Sequence, residues 1–307
     1  KLNAIYKLMD GLSIRGTVGT GYHAPSPGQS NDEILTTTFV AGNQVQVGTY
    51  PVGSAIAKYY GAQVLKPEES TNFGLGFVAK PIANTVVTVD AYSIEVTSRL
   101  GISKTYNVSA GDVAAQPALA AVGVGGAVTY FTNAFDTRTE GVDIVATHHT
   151  DLAGGRLNLT LAYNYNHSKV TKYDPAVIGQ DQIVDVSRLA PNTRVNVSAN
   201  WSIDNWTLNV RQNFYSSWRD EVDYPGQTYG SKMTTDFDIS YNIHDHYTVT
   251  VGATNMFNAY PDRIAQSSSN SVYPVTGSLA DGSIYPRSGG PFGINGGFWY
   301  ARLKATF

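Results

Sequence analysis

Five stretches of this chain alternate apolar and polar residues, and a period of two forces a strand with one dry face and one wet face. In 156–166, Leu157, Leu159, Leu161, Tyr163 and Tyr165 fall on one face, and Asn158, Thr160, Ala162, Asn164 and Asn166 on the other. The run 192–201 repeats the pattern with Val195, Val197, Ala199 and Trp201, and 206–214 does so with Trp206, Leu208, Val210 and Phe214. Phe237, Ile239, Tyr241 and Ile243 form the dry face of 236–243; Tyr247, Val249 and Val251 form that of 247–254. Weaker alternation marks strands within 1–8, 12–21, 71–80, 84–92, 140–148 and the last residues. That makes about eleven, most near the ~9–11 residues of a tilted membrane-spanning strand.

The connections decide what the dry faces touch. Short ones at 9–11, 81–84, 150–155, 203–205 and 244–246 alternate with long ones near 22–70, 99–137, 168–190, 217–232 and 258–296. A two-layer soluble body has no reason to gather every long loop at one end. A barrel with tight periplasmic turns and long extracellular loops does. The expected fold is therefore all-β: an antiparallel transmembrane β-barrel portion, in lipid, in the outer membrane of a Gram-negative bacterium. Charged residues make up only 15%, against roughly a quarter in soluble domains, so the surface is short of solvated groups. The 20 Tyr, 11 Phe and 4 Trp suit a membrane interface. A net charge of −3 carries no basic footprint for nucleic acid, and the absence of Cys removes disulfides and thiolate metal sites.

The chain stops on a strand. Trp299, Ala301, Leu303, Ala305 and Phe307 fall on its lipid face, with Arg302, Lys304 and Thr306 toward the lumen. Trp299, Leu303 and the terminal Phe307 resemble the signal read by bacterial barrel-assembly machinery. Several other stretches resemble TonB-dependent outer-membrane receptors. They are "IRGTVGTGYHAPSP" (14–27), "LKPEESTNFGLGF" (65–77), "DTRTEGVDIVA" (136–146), "GATNMFNAYPDR" (252–263) and "GPFGINGGFWYARLKATF" (290–307), in family order. Asp143 stands where Glu is commoner in that family.

The resemblance implies a 22-stranded barrel filled by a plug domain, with energy delivered by the TonB complex. About eleven strands are half of that number, and no segment resembles the plug. Residues 1–307 are thus expected to be the C-terminal portion of the barrel domain, with the plug outside this chain. The resemblance further implies a receptor and transporter for a scarce nutrient, and not an enzyme. An iron–siderophore is the default cargo; carbohydrate, heme, cobalamin or a passive porin-like barrel are the alternatives. No resident cofactor or metal is expected.

On the wet face, Arg15, Asp90, Asp143, Arg194, Arg211, Asp236, Asp238, Arg302 and Lys304 are expected to point into the lumen. Most such charges pair with one another. Arg15, Arg194 and Arg211 are the candidates for an anionic ligand, because guanidinium matches carboxylate and phosphate. His148 and His149 are placed at a periplasmic turn on opposite faces, and His244 and His246 in a hairpin connection; neither pair is expected to hold metal. The Gly-rich run 122–128 lacks a strand–loop–helix context and is expected to be a flexible part of a loop, beside one or two helical turns within 116–123.

Overall fold

The computed structural model describes residues 1–244, 246–265, 284–286 and 290–306. Eleven strands form one antiparallel sheet, each bonded to the next. They are β1 (Leu2–Met9), β2 (Leu12–His23), β3 (Glu68–Ala79), β4 (Thr85–Ile102), β5 (Phe131–Leu152), β6 (Gly155–Tyr173), β7 (Thr193–Ile203), β8 (Trp206–Tyr215), β9 (Lys232–Ile243), β10 (Tyr247–Thr254) and β11 (Phe298–Ala305). The order is a plain meander, and β1 and β11 are its two edges. The short turns have the backbone that tight hairpins demand: Ala153 and Gly154 sit at φ 51 and 78, a pair of left-handed residues matched to strand twist.

Register lines the alternating residues into rows across the sheet. Tyr6, Ile14, Phe77, Val89, Ile144, Tyr163, Val195, Phe214 and Met233 form one continuous apolar row over nine strands. Below it, Ala199, Val210, Phe237, Ala253 and Trp299 form another. Much of this face is bare: Trp299 and Leu303 are each 67% exposed and Tyr6 66%. Among the described residues no second layer packs on this face, so the dry face is built for a medium rather than for a protein core. Polar pairs interrupt it, Thr85 with His148 at its margin and Gln212 with Thr235. Gln212 and Thr235 lie on the apolar side, and Thr235 Oγ1 donates to Gln212 Oε1 at 2.7 Å while Gln212 Nε2 donates to the Thr234 carbonyl at 3.2 Å. Mutual bonding is what makes a polar pair tolerable there.

The belt has a clear upper limit. Above the row Ala91–Val142–Tyr165 the same face turns polar, first with Ser93, Glu140 and His167, then with Glu95, Arg138 and Lys169. Arg138 pairs with Glu95 at 3.5 Å. Strands β4, β5 and β6 run 18, 22 and 19 residues, well past this limit. Residues 131–140 of β5 therefore extend about 30 Å along the strand beyond the belt, at ~3.4 Å per residue.

Two details differ from the sequence expectation. His148 and His149 lie within β5 rather than in its turn, and Thr85 Oγ1 sits 2.7 Å from His148 Nδ1. The Gly-rich run is ordered. Gly123 and Gly125 take φ of 88 and 91, Gly125 N–H donates to Val108 O at 2.9 Å, and Val122 and Val128 are fully buried. Left-handed glycines there make a tight turn inside a packed unit, which composition alone reads as looseness.

Candidate functional site

The polar face of the sheet forms a hydrogen-bonded wall. Asn158 donates to Asn200 at 3.4 Å, Asn200 to Asn209, and Asn209 to Asp238 at 2.8 Å, a ladder across four strands. A second set joins Asn196 to Asn213 at 2.6 Å, and Asn213 to Thr234 and Asp236 at 3.2 and 3.3 Å. Asn164 donates to Asp143 at 2.5 Å. An amide both donates and accepts, so a row of Asn can satisfy itself while leaving outward lone pairs and N–H groups for water.

Arg15, Asp90, Asp143, Arg194 and Tyr215 share one row. Arg15 and Asp90 are separated by the intervening strand β3, where the row holds Gly76. The missing side chain is what lets them meet, with Arg15 Nε donating to Asp90 Oδ1 at 2.7 Å and Nη2 to Oδ2. A Cβ on Gly76 would stand 2.1 Å from Asp90 Oδ1. Arg194 lies over the Tyr215 ring at 5.1 Å, a cation–π contact. Arg211 faces Asp236 across the β8–β9 pair, and it forms no ion pair within 4.0 Å among the described residues. Of the three arginines singled out by sequence, Arg15 is fully committed, Arg194 is held by a ring, and Arg211 has an open guanidinium. Trp299 and Leu303 stand on the apolar face of β11; Phe307 lies outside the described residues.

The sequence motifs prove to be joints of the frame. Glu68 accepts the Leu100 N–H at 2.7 Å and meets His23 Nδ1 at 3.0 Å, tying three strand ends. Gly141 lies opposite Tyr92, whose ring covers it; a Cβ there would stand 2.4 Å from the ring. Tyr300 covers Gly252 in the same way at 2.7 Å. Asn255, at φ 49, brackets the turn after β10: its side chain accepts from Ala259 N at 2.9 Å and donates to Ala259 O at 2.8 Å.

Above the belt, the segments 24–67 and 103–130 fold together. A hairpin of Ile34–Val40 and Asn43–Thr49 pairs in parallel with Ala127–Thr129, which pairs with Tyr106–Asn107. Tyr50, Val52, Ala57, Val108, Leu119, Val122, Val128 and Tyr130 make its core. The 3₁₀ turn Pro117–Ala121 supplies the helical turn expected within 116–123, and a further helix, Ala110–Ala115, precedes it. Ser109 caps the helix and holds the Asp112 carboxyl below its ordinary range, with Tyr59 Oη donating to the same carboxylate at 2.9 Å. Burial pushes the Tyr60 hydroxyl up to about 12. No local pattern signals this co-folding, because its apolar residues are scattered over two loops.

A second cluster lies over the neighbouring strands. Trp218, Tyr224, Tyr229 and Ile264 are buried together, with Trp218 stacked on Tyr229 at 5.4 Å. Asp220 is buried among them, and desolvation raises its carboxyl to about 6. Helix Gln180–Arg188 latches onto this cluster: Asp185 accepts the N–H groups of Glu221 at 2.6 Å and Val222 at 3.3 Å, and burial raises its carboxyl too.

Among the described residues no cluster of His, Cys, Asp or Glu could hold a metal ion. The arrangement is a polar wall beneath ordered loops, suited to passing or positioning a solute.

Solved structures share this fold. A mutant of the ferric enterobactin receptor PfeA from Pseudomonas aeruginosa superposes with a TM-score of 0.62 at 15% identity, over 99% of this chain and 39% of that one. The copper transporter OprC gives 0.59 at 12% identity, over 99% and 39%. The ferric yersiniabactin uptake receptor FyuA from Yersinia pestis gives 0.53 at 13%, over 99% and 37%. The chain thus spans about two fifths of the length of these structures. No curated protein matches it. The family model described as "TonB dependent receptor-like, beta-barrel" matches residues 1–256. With its meander, its bare apolar belt and its polar inner wall, the chain belongs to the TonB-dependent receptor β-barrel family.

Proposed function

We propose that this chain is the C-terminal half of an outer-membrane receptor that imports a scarce nutrient, most simply a ferric siderophore, with energy from the TonB complex reaching it through a plug domain. The observation that carries this reading is the polar wall under two ordered loop units, sealed from lipid by the apolar rows. A wall of amides and paired charges keeps water in the lumen, while loop aromatics offer surface to a ring-bearing ligand. The iron-chelate receptors among similar folds support the choice of cargo. Arg211 is the wall group we assign to an anionic ligand or to the plug, since its guanidinium is open. Trp299 and Leu303, with Phe307, are assigned to recognition by the barrel-assembly machinery and to anchoring in lipid.

The test is uptake. The receptor with its upstream sequence should restore growth of an iron-starved, receptor-deficient Gram-negative host on one ferric siderophore, and only when TonB is present. Uptake that persists without TonB, together with open conductance in planar bilayers, would instead make this a passive pore.

A further inference from the structure

The four-stranded loop sheet above the belt ends on an uncovered strand. Ile34–Val40 bonds to Asn43–Thr49 on one side and, among the described residues, to no strand on the other. All seven of its residues are exposed, Phe39 to 71% and Ile34 to 64%. Natural sheets protect such an edge with Lys, Pro, a bulge or a covering segment. The run ILTTTFV has no charge and no Pro, and its register with Asn43–Thr49 is unbroken.

The hairpin fixes which backbone groups face outward. Ala41 and Gly42 take φ of 49 and 82, so the turn is the two-residue type that bonds Val40 to Asn43. Bonded and non-bonded pairs alternate from there. Thr38, Thr36 and Ile34 therefore bond to Val45, Val47 and Thr49, while Leu35, Thr37 and Phe39 turn N–H and C=O to the open side. Gln46, opposite Thr37, agrees with this: its N–H points away from Thr37, to Val122 O at 2.8 Å.

The order of side chains selects the strand that completes this edge. Read from either end, 34–40 runs two apolar residues, three Thr and two apolar residues. Laid antiparallel on its own copy about Thr37, Ile34 meets Val40, Leu35 meets Phe39 and Thr36 meets Thr38. Every cross-strand pair then joins apolar to apolar or Thr to Thr, the combinations that stabilise sheets. The same register uses all the outward N–H and C=O groups of Leu35, Thr37 and Phe39. Asp32 and Glu33 fall opposite Gly42 and Ala41, so no like charges meet.

We propose that the receptor pairs with a second copy of itself through this edge, as an isologous two-fold contact that joins two loop sheets into one. Seven residues span only about 24 Å at ~3.4 Å each, so the contact is small and the pair separates on dilution. The inference concerns the crown and stands apart from the cargo.

The test uses the complete receptor in detergent, with mass read by sedimentation velocity over a dilution series. The unmodified protein should pass from dimer to monomer on dilution. Thr37→Pro removes an N–H that the hairpin does not use, and Thr37→Lys sets two ammonium groups face to face on the axis. Each should weaken the dimer about tenfold or more, with heat-modifiability unchanged. Oxidative cross-linking reads the register. The two Thr37 Cα atoms would lie about 5.5 Å apart, within reach of a disulfide. Thr37→Cys should therefore link above the unmodified background, and Phe39→Cys, displaced from its copy by about 14 Å along the strand, should not. A monomer at every concentration, a dimer indifferent to both Thr37 changes, or linkage of Phe39→Cys in place of Thr37→Cys would overturn the proposal. So would a Thr37→Cys thiol that reagents cannot reach in the monomer, since another segment of the receptor would then be the occupant. Equal binding of a 33–41 peptide and of unrelated strand peptides would make the edge a general acceptor, and would also overturn self-pairing.

Discussion

Replacing Asp220 with asparagine should tighten the loop cluster around Trp218 at neutral pH. Asp220 is 1% exposed, and burial raises its carboxyl from 3.8 to about 6. A raised carboxyl means that the folded loop disfavours the charged form. At ~1.36 kcal/mol per pKa unit, ionised Asp220 destabilises the closed loop by about 3 kcal/mol above pH 6. That cost is relieved as pH falls through 6, and it is gone below 3.8, where both open and closed loops are protonated. The loop should therefore hold more firmly at pH 5 than at pH 8. Asparagine keeps the acceptor for the Asp223 N–H, which sits 3.0 Å from Oδ1. Its amide nitrogen replaces Oδ2, which is buried without a partner, so about 1 kcal/mol of the gain is lost to an unpaired donor. The net expectation is a gain of about 1–2 kcal/mol at pH 8 and a much flatter pH dependence. Asp185, also raised by burial, leaves a residual slope of the same sign. Hydrogen exchange of peptides covering 216–231, corrected for intrinsic rates, reads the opening free energy directly. Identical slopes from pH 5 to 8 in Asp220→Asn and the unmodified protein would refute the burial argument.

Gly76→Val should break the Arg15–Asp90 contact, since a side chain there collides with Asp90; heat-modifiability on gels should drop, while Gly76→Ala is the milder case. Gly141→Val displaces the Tyr92 ring and should cost about 1–3 kcal/mol, the ordinary penalty of overpacking, measured by urea unfolding in lipid vesicles. Gln212→Leu alone should destabilise by about 1–2 kcal/mol by orphaning the Thr235 hydroxyl. The double change with Thr235→Val should recover most of that loss, and a strictly additive double variant would contradict the pairing. Leu303→Arg should cost about 2–4 kcal/mol in vesicle refolding if that row lies near mid-membrane, and almost nothing if it faces water.

The meander was legible because alternation is a local signal that each strand carries by itself. The row from Tyr6 to Met233 is that signal summed over neighbours. The inward direction of Arg15, Arg194 and Arg211 followed from the same parity, yet their different states did not. Arg15 is committed because Gly76 lies between it and Asp90, a fact about the neighbour of a neighbour. The loop units were invisible for a related reason. Tyr50, Val52, Leu119 and Val128 make one core only once two loops meet, and no window along the chain contains them together. Polar pairs on the dry face, such as Gln212 with Thr235, read as breaks in the pattern until the partner strand is known.

The parallel pairing of Val47–Thr49 with Ala127–Thr129 stitches one long excursion of the chain to the next, across the hairpin of β3 and β4 that separates them. The core beneath it draws residues from both excursions, so this cap closes only after the intervening strands are in place. Evolution and engineers face the same rule: the two segments must be exchanged together, and a chimera that imports only one should display a frayed, protease-sensitive crown on an otherwise intact wall.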